Sequence, residues 1–389
     1  MKFACIEYTT KSRKVWIPSP EHPNYLGDPL SEIDPTSFGS YTTALNGQHV
    51  PLMGVILGQL DGDVLQGLYR RLRWRLSGTW GNYPLSYFRN FDTILAVYDW
   101  KRGNEIAKFV KRLRIAYPNT IVVGVPTQPF GQLREQWRSD EGNLSNLREF
   151  YDSCHAVLSI VRATVPYQQS LTKTPVVYIP QPYPVEYATK SWRDYSDKES
   201  VIFVAGDTSR PDVLAGHLAA KEIQKTHKDY MIHVTQTPDS KLNRQLLENT
   251  LHEVVPFRPW REYLPYLAGV KLAINMDTWW TRGRVQADCA AVGTPSIGGP
   301  SDAQVELFPD LLVRDVEDFQ TAINFGNNLL GDKSFYDKVT ERAKHRLKSY
   351  NFEKTVERFT KLVELIKKDE ASKFPEYIWD NDVLVEKSS

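Results

Sequence analysis

The sequence predicts an α/β protein made of two doubly wound, Rossmann-like domains that face one another across a cleft. Three observations carry that prediction. The chain has 389 residues, beyond the size at which one hydrophobic core keeps growing, so two domains of roughly 180 residues are the default. In both halves short apolar runs alternate with helical patterns, the signature of a parallel sheet with helices on both faces. The alternation breaks once, at 179–197, "IPQPYPVEYATKSWRDYSD", where three prolines and a polar stretch intervene, and then it restarts. The expected division is an N-terminal domain over 1–184, a C-terminal domain over 185–370 and a tail over 371–389.

In the first half the strand-like runs are 3–8, 51–57, 91–98, 120–125, 156–161 and 175–179. Each is short, mostly apolar and bounded by turn residues, as expected of a strand buried on both faces. Between them, helical patterns occupy 62–77, 103–116, 143–153 and 164–171. Residues 18–38, "PSPEHPNYLGDPLSEIDPTSF", carry five prolines and no period; they read as a long ordered loop over the strand ends, a kind of loop that is often functional. The second half repeats the scheme. Strands are expected at 200–205, 230–235, 253–256, 272–276, 296–297 and 311–313, and helices at 211–226, 240–249, 260–267, 282–291, 316–330, 333–348 and 352–367. In such sheets ligands bind beyond the carboxyl ends of the strands, which makes the interdomain cleft the expected site.

Composition narrows the class. A chain with 41% hydrophobic, 12% aromatic and 24% charged residues is an ordinary globular protein rather than a disordered or fibrous one. No stretch approaches 18 consecutive apolar residues, and the opening "MKFACIEYTT" lacks a signal-peptide core, so the expected location is the cytoplasm. Cys5, Cys154 and Cys289 lie far apart without CxxC spacing and read as buried free thiols. The net charge of +1 is unevenly spread: residues 70–114 hold 11 basic against 3 acidic residues, the one compositional hint of an anionic partner.

The most specific motif lies at 274–299, "INMDTWWTRGRVQADCAAVGTPSIGG". A strand gives way to two tryptophans and two arginines, then to a helix of small residues, a Gly-Thr-Pro turn and another apolar run. A helix start carries unpaired N–H groups and partial positive charge, which suits a diphosphate. Arg282 and Arg284 flank such a start, and Arg210 follows the first strand of the same domain. The segment "ADCAAVGTPSIGG" resembles the "E-A-x-A-x-G-T-P-x-I" element of GT-B glycosyltransferases, in particular the large, mostly retaining family that uses nucleotide-sugar donors. "VIFVAGDTSRP", "VVPFRPWREYLPYLAGVKLAINM" and "NFEKTVERFTKLVELI" are similar to further elements of that family's C-terminal half, whereas the first half matches only in layout.

The resemblance implies a nucleotide-diphosphate sugar as co-substrate, with no other cofactor. It implies that Arg210, Arg282 and Arg284 hold the diphosphate, that Asp288 accepts the ribose hydroxyls, and that Gly293 and Thr294 complete the donor site. Arginine forks can carry the leaving diphosphate without metal. The sequence also departs from the pattern. Trp280 stands at the position of the family's first glutamate, which touches the sugar, and the second is shortened to Asp288. The bland reading of Arg284 and Asp288 is an i,i+4 ion pair, and that of Trp279 and Trp280 is core.

On the acceptor side, Asp99 ends the strand "FDTILAVYDW" and reads either as a base for an acceptor hydroxyl or as a helix N-cap. The segment 68–91, "LYRRLRWRLSGTWGNYPLSYFRNF", interleaves Arg71, Arg73 and Arg75 with Trp74 and Trp80. Cations neutralise phosphates while rings stack on bases, which suits DNA; the same composition suits a peripheral contact with anionic membrane or a solvated basic helix over an aromatic core. "DGD" at 61–63 and "DND" at 380–382 read as a helix cap and a tail segment, so no metal site is expected. The resulting expectation is a glycosyltransferase acting on a hydroxylated base in DNA, as bacteriophage DNA-modifying enzymes of this fold do. The alternatives are a lipid-linked or polysaccharide acceptor, a nucleotide-sugar 2-epimerase, and an inactive carbohydrate-binding scaffold.

Overall fold

A computed structural model describes residues 1–9, 38–53, 83–127, 131, 133, 141–205, 213–235, 247–256, 258–276, 279–315 and 317–387. The long proline-rich loop (but for Phe38), the helical patterns at 62–77 and most of 240–249, and "DGD" lie outside these residues. The chain forms two compact units, one comprising Met1–Pro182, Phe352–Ile378 and Glu386–Ser389, the other Tyr183–Asn351 and Trp379–Val385.

The first unit holds six parallel strands: β1 (Phe3–Thr9), β2 (Gln48–Met53), β3 (Thr93–Tyr98), β4 (Ile121–Pro126), β5 (Ala156–Ser159) and β6 (Val176–Tyr178), in the spatial order β2-β1-β3-β4-β5-β6. β3 and β4 are buried along their whole length, which explains their unbroken apolar sequences. The described helices are α1 (Gly39–Ala44), α2 (Gly103–Ala116), α3 (Glu141–Asp152) and α4 (Val165–Gln169). α2 buries Ile106, Phe109, Val110 and Leu113, one stripe at helical spacing. The expected strand at 51–57 begins earlier, at Gln48, and α1 had no counterpart in the sequence pattern.

The second unit opens with the short helix α5 (Val185–Ala188), inside the stretch expected to be linker. Its sheet contains β7 (Glu199–Val204), β8 (Met231–Thr235), β9 (His252–Val255), β10 (Val270–Asn275) and β11 (Ser296–Gly298), all parallel, in the order β11-β10-β7-β8-β9. The helices are α6 (Val213–Thr226), α7 (Trp260–Gly269), α8 (Arg284–Val292), α9 (Asp302–Leu307), α10 (Phe319–Gly331) and α11 (Lys333–Leu347). Instead of the strand expected at 311–313 there is a 3-10 turn, Pro309–Leu311, and one bridge from Leu312 to Gly298. The Gln304 amide donates to the carbonyls of Ser296, Phe308 and Leu311, and this turns the chain before a ladder can extend.

α12 (Phe352–Lys367) packs with the first unit, where Phe359 meets Phe3 edge to face at 5.5 Å. The tail is a hairpin of β12 (Glu376–Asp380) and β13 (Val383–Lys387). Asn381 and Asp382 occupy its turn with φ of 44° and 62°, as a two-residue hairpin requires. "DND" is therefore turn chemistry, and the Asp382 carboxylate is paired with Arg346 and Arg342.

Candidate functional site

The strand order puts the switch point of the second sheet between β7 and β10, where open α/β sheets bind ligands. The Ala205 amide donates to the Ile274 carbonyl across that junction at 2.9 Å. Gly216 of α6 presses against it: a Cβ there would stand 3.1 Å from Val204 and 3.6 Å from Ile274. Arg210 lies outside the described residues.

The segment leaving β10 is conformationally costly. Trp280 has φ +54°, a left-handed conformation worth about 1–2 kcal/mol of strain for a residue with a Cβ. Gly283 follows at φ +72° and occupies the N-cap of α8, where no side chain caps the helix. A Cβ on Gly283 would stand 2.6 Å from Ala303 and 2.9 Å from the Ser301 hydroxyl, so the starts of α8 and α9 lie side by side. The Thr281 carbonyl accepts the Asp302 amide at 3.0 Å and fixes that arrangement. α9 is capped by its own Ser301; α8 instead starts beside half-buried Arg282, with exposed Arg284 as its first residue. A nine-residue helix with no side-chain cap and two adjacent guanidiniums is a place for an anion.

One turn into α8 the Asp288 carboxylate is 2% exposed. Its Oδ1 accepts the Tyr183 hydroxyl at 2.6 Å and the Trp260 indole N–H at 2.8 Å. Burial, with the Asp288 charge beside it, pushes the Tyr183 phenol far above its usual value, so it stays a donor. Tyr187 stacks on Trp260 at 5.6 Å, and the Arg261 guanidinium lies 5.1 Å over Tyr187. Asp288 thus anchors α8 to α7 and to the start of the unit. Tyr183 and Trp260 escaped the sequence reading because they stand 105 and 28 residues away, and no local signal links them to Asp288.

The Gly-Thr-Pro turn closes the element. Gly293 has φ +75° and ends α8, and a Cβ there would stand 2.8 Å from the Arg193 carbonyl. Thr294 is fully buried; its hydroxyl donates to the Leu267 carbonyl at 2.8 Å and accepts from the Lys198 ammonium at 3.0 Å. Lys198 also donates to the carbonyls of Ala268 and Val292, at the last turns of α7 and α8, where the helix dipoles favour a cation. Burial nevertheless pushes its pKa down to about 7. Thr294 therefore holds the framework of the site together, and Lys198 is its unforeseen partner.

In the first unit the switch point falls between β1 and β3. Asp99 follows β3 there, half-buried, with its carbonyl accepting the Arg102 amide at 3.0 Å. Asp99 does not cap α2: the N-cap position is Arg102, and no side chain caps it. On β1, beside the same switch point, Glu7 is 3% exposed and its Oε2 lies 3.3 Å from Nε2 of His49 on β2. No local signal marks this pair, because Glu7 and His49 lie 42 residues apart on neighbouring strands, with His49 opposite Cys5 in the register. Arg71, Arg73, Trp74, Arg75 and Trp80 lie outside the described residues. The described end of their segment is structural: Phe88 is fully buried against Phe109, and Tyr83, Tyr87 and Phe91 form a ring cluster beside it. Among the described residues, no group of histidine, cysteine, aspartate and glutamate side chains could hold a metal ion. No described helix is long and apolar enough to cross a membrane.

No family model matches the chain, and no curated protein matches it in sequence. Its fold is shared with solved structures of low identity. Sucrose-phosphate synthase from Thermosynechococcus elongatus superposes with a TM-score of 0.66 at 14% identity, over 95% of this chain and all of that one. Anabaena HepE, solved with UDP and glucose, gives 0.60 at 12% identity over 94% and 99% of the two chains. An alpha-glucosyltransferase solved with UDP-glucose and DNA containing an abasic site gives 0.53 at 12% identity, again over 94% and 99%. The chain shares the GT-B fold of these structures: two α/β units, each built on a parallel sheet.

Proposed function

We propose that this chain is a glycosyltransferase that moves a hexose from a nucleotide-diphosphate sugar to an acceptor hydroxyl. The observation that carries the reading is the β10–loop–α8–Gly-Thr-Pro–β11 element at the switch point of the second sheet, with its side-chain-uncapped helix start beside Arg282 and Arg284. In transfer the bond from the anomeric carbon to the phosphate oxygen breaks and the diphosphate leaves with the electron pair. Arg210, Arg282, Arg284 and the N–H groups of α8 would stabilise that charge without metal. Asp288 would face the ribose from within its anchored position, and Gly293 and Thr294 would hold α8 in place. The new bond forms to the acceptor oxygen, which Asp99 would engage.

For the acceptor we propose a hydroxylated base in DNA. The basic and aromatic composition of 68–91 supports it, as does the fold shared with an alpha-glucosyltransferase solved with DNA. A lipid-linked or polysaccharide acceptor is the alternative. A second activity has one observation in its favour. A structure described as a putative UDP-N-acetylglucosamine 2-epimerase from Listeria monocytogenes has the same fold, with a TM-score of 0.55 at 11% identity. One experiment separates these readings: incubation with a panel of nucleotide sugars, following free sugar, epimerised donor and labelled acceptor by mass. Transfer or hydrolysis supports the transferase, epimerised donor alone supports the rival, and intact donor throughout defines a binding scaffold.

A further inference from the structure

β1 reads "FACIEYT", and Glu7 is out of place in it, because an acid is disfavoured in a strand flanked on both sides. It is also buried, at 3% exposure, with His49 of β2 beside it at 3.3 Å and itself 8% exposed in its side chain. A buried acid–histidine pair is a poor source of stability, since apolar side chains of equal volume do as well or better. Its position is specific. Glu7 stands two residues before the end of β1, about 7 Å along the strand, and β1 borders the switch point of its sheet. Register places Glu7 opposite Val97, two residues before Asp99, which follows the end of β3. Two carboxylates thus stand at the same end of the sheet, one within β1 and the other just past β3, and the one within β1 is paired with an imidazole.

We propose that Glu7, oriented by His49, receives the proton of the acceptor hydroxyl in this unit in place of Asp99, which then only contacts the acceptor oxygen; the proposal rests on the transferase reading above. As the acceptor oxygen bonds to the anomeric carbon and the diphosphate departs with its electron pair, the hydroxyl proton passes to the Glu7 carboxylate. The His49 N–H holds that carboxylate in place. Burial suits a proton acceptor, because a proton gained there is shielded from exchange with water.

The test uses UDP-glucose, with water standing in for the acceptor, and measures UDP affinity by calorimetry beside glucose release. E7Q keeps shape and hydrogen bonding but cannot take a proton; its kcat should fall 100-fold or more while UDP affinity and the thermal transition hold. E7A should lose as much and regain turnover with added formate, which a structural role does not produce. H49N, too short to reach Glu7, should lose about tenfold in kcat, and H49Q, which keeps an N–H donor, should recover most of it. Wild-type turnover in E7Q, or a folded E7A that formate does not rescue, overturns the proposal. If the Glu7 variants fail to fold, H49N decides, and an undiminished kcat there overturns it too. A wild-type protein that binds no UDP and releases no sugar from any donor removes the transferase reading itself, an outcome distinct from failure of the pair.

Discussion

Arg284 is exposed at the first position of α8, so its replacement removes charge without opening a cavity. Arg284→Ala should fold normally and bind UDP about 10- to 100-fold more weakly, the cost of one charge-assisted contact to phosphate of about 1.5–3 kcal/mol. Calorimetry decides it, and Arg210→Ala should behave alike; unchanged affinity in both places the site elsewhere. His155 is the residue through which pH should act on the first unit. Burial, with the Arg114 guanidinium nearby, pushes its pKa down to about 4 from 6.5, and its Nδ1 accepts the Val122 amide at 3.0 Å, a bond that protonation breaks. Between these values the unfolded chain binds more protons than the folded one, so stability is full above about pH 6.5 and falls as pH drops toward 4. Urea unfolding of wild type and His155→Gln across pH 4–8 checks the sign: the variant should show a shallower acid slope.

At the scale of elements, the donor site depends on how α8 starts and ends. Gly293→Ala must hold a left-handed φ of +75° and push against the Arg193 carbonyl. It should lower stability by about 1–3 kcal/mol, read as a lower melting temperature. Gly283→Ala meets Ala303 and Ser301 instead; it should separate the starts of α8 and α9 and weaken UDP binding more than it lowers the melting temperature. A variant equal to wild type in both readouts would show that the helix start does not carry the anion. The described strands β7 to β10 and the helices α7 and α8 were legible in the sequence because short apolar runs mark the strands and α8 is framed by glycines, while most of the helix expected at 240–249 lies outside the described residues. The β11 neighbourhood was not. The run at 311–313 is apolar enough for a strand, but the Gln304 side chain takes the carbonyls a ladder would need, and a side chain reaching seven residues along leaves no periodic trace.

For the whole molecule, two tests bear on partners. Activity should survive EDTA, because arginines can carry the phosphate charge; loss on chelation with recovery on adding manganese would reveal a metal. Binding to a hydroxymethylated duplex should weaken steeply with salt, and replacing Arg71, Arg73 and Arg75 by Ala should flatten the slope by roughly one unit for each phosphate no longer neutralised. Trp74→Ala or Trp80→Ala should instead weaken binding by about 1–3 kcal/mol at unchanged slope, since stacking is not electrostatic. If anionic vesicles bind and duplex competes poorly, the acceptor is lipid-linked; if neither binds, the basic segment is a solvated face.

What the sequence by itself determined is the α/β class, the two parallel sheets and the Gly-Thr-Pro element, because periodicity, glycine at positive φ and proline after a helix are local properties of the chain. Tertiary structure alone decided which side chains meet. Asp288 is tied to Tyr183 and Trp260, Lys198 to the ends of α7 and α8, and Glu7 to His49. Each pairing joins residues that are distant in sequence, set by strand order and helix packing, and an isolated tyrosine, lysine or histidine carries no mark of the partner that the fold will bring to it.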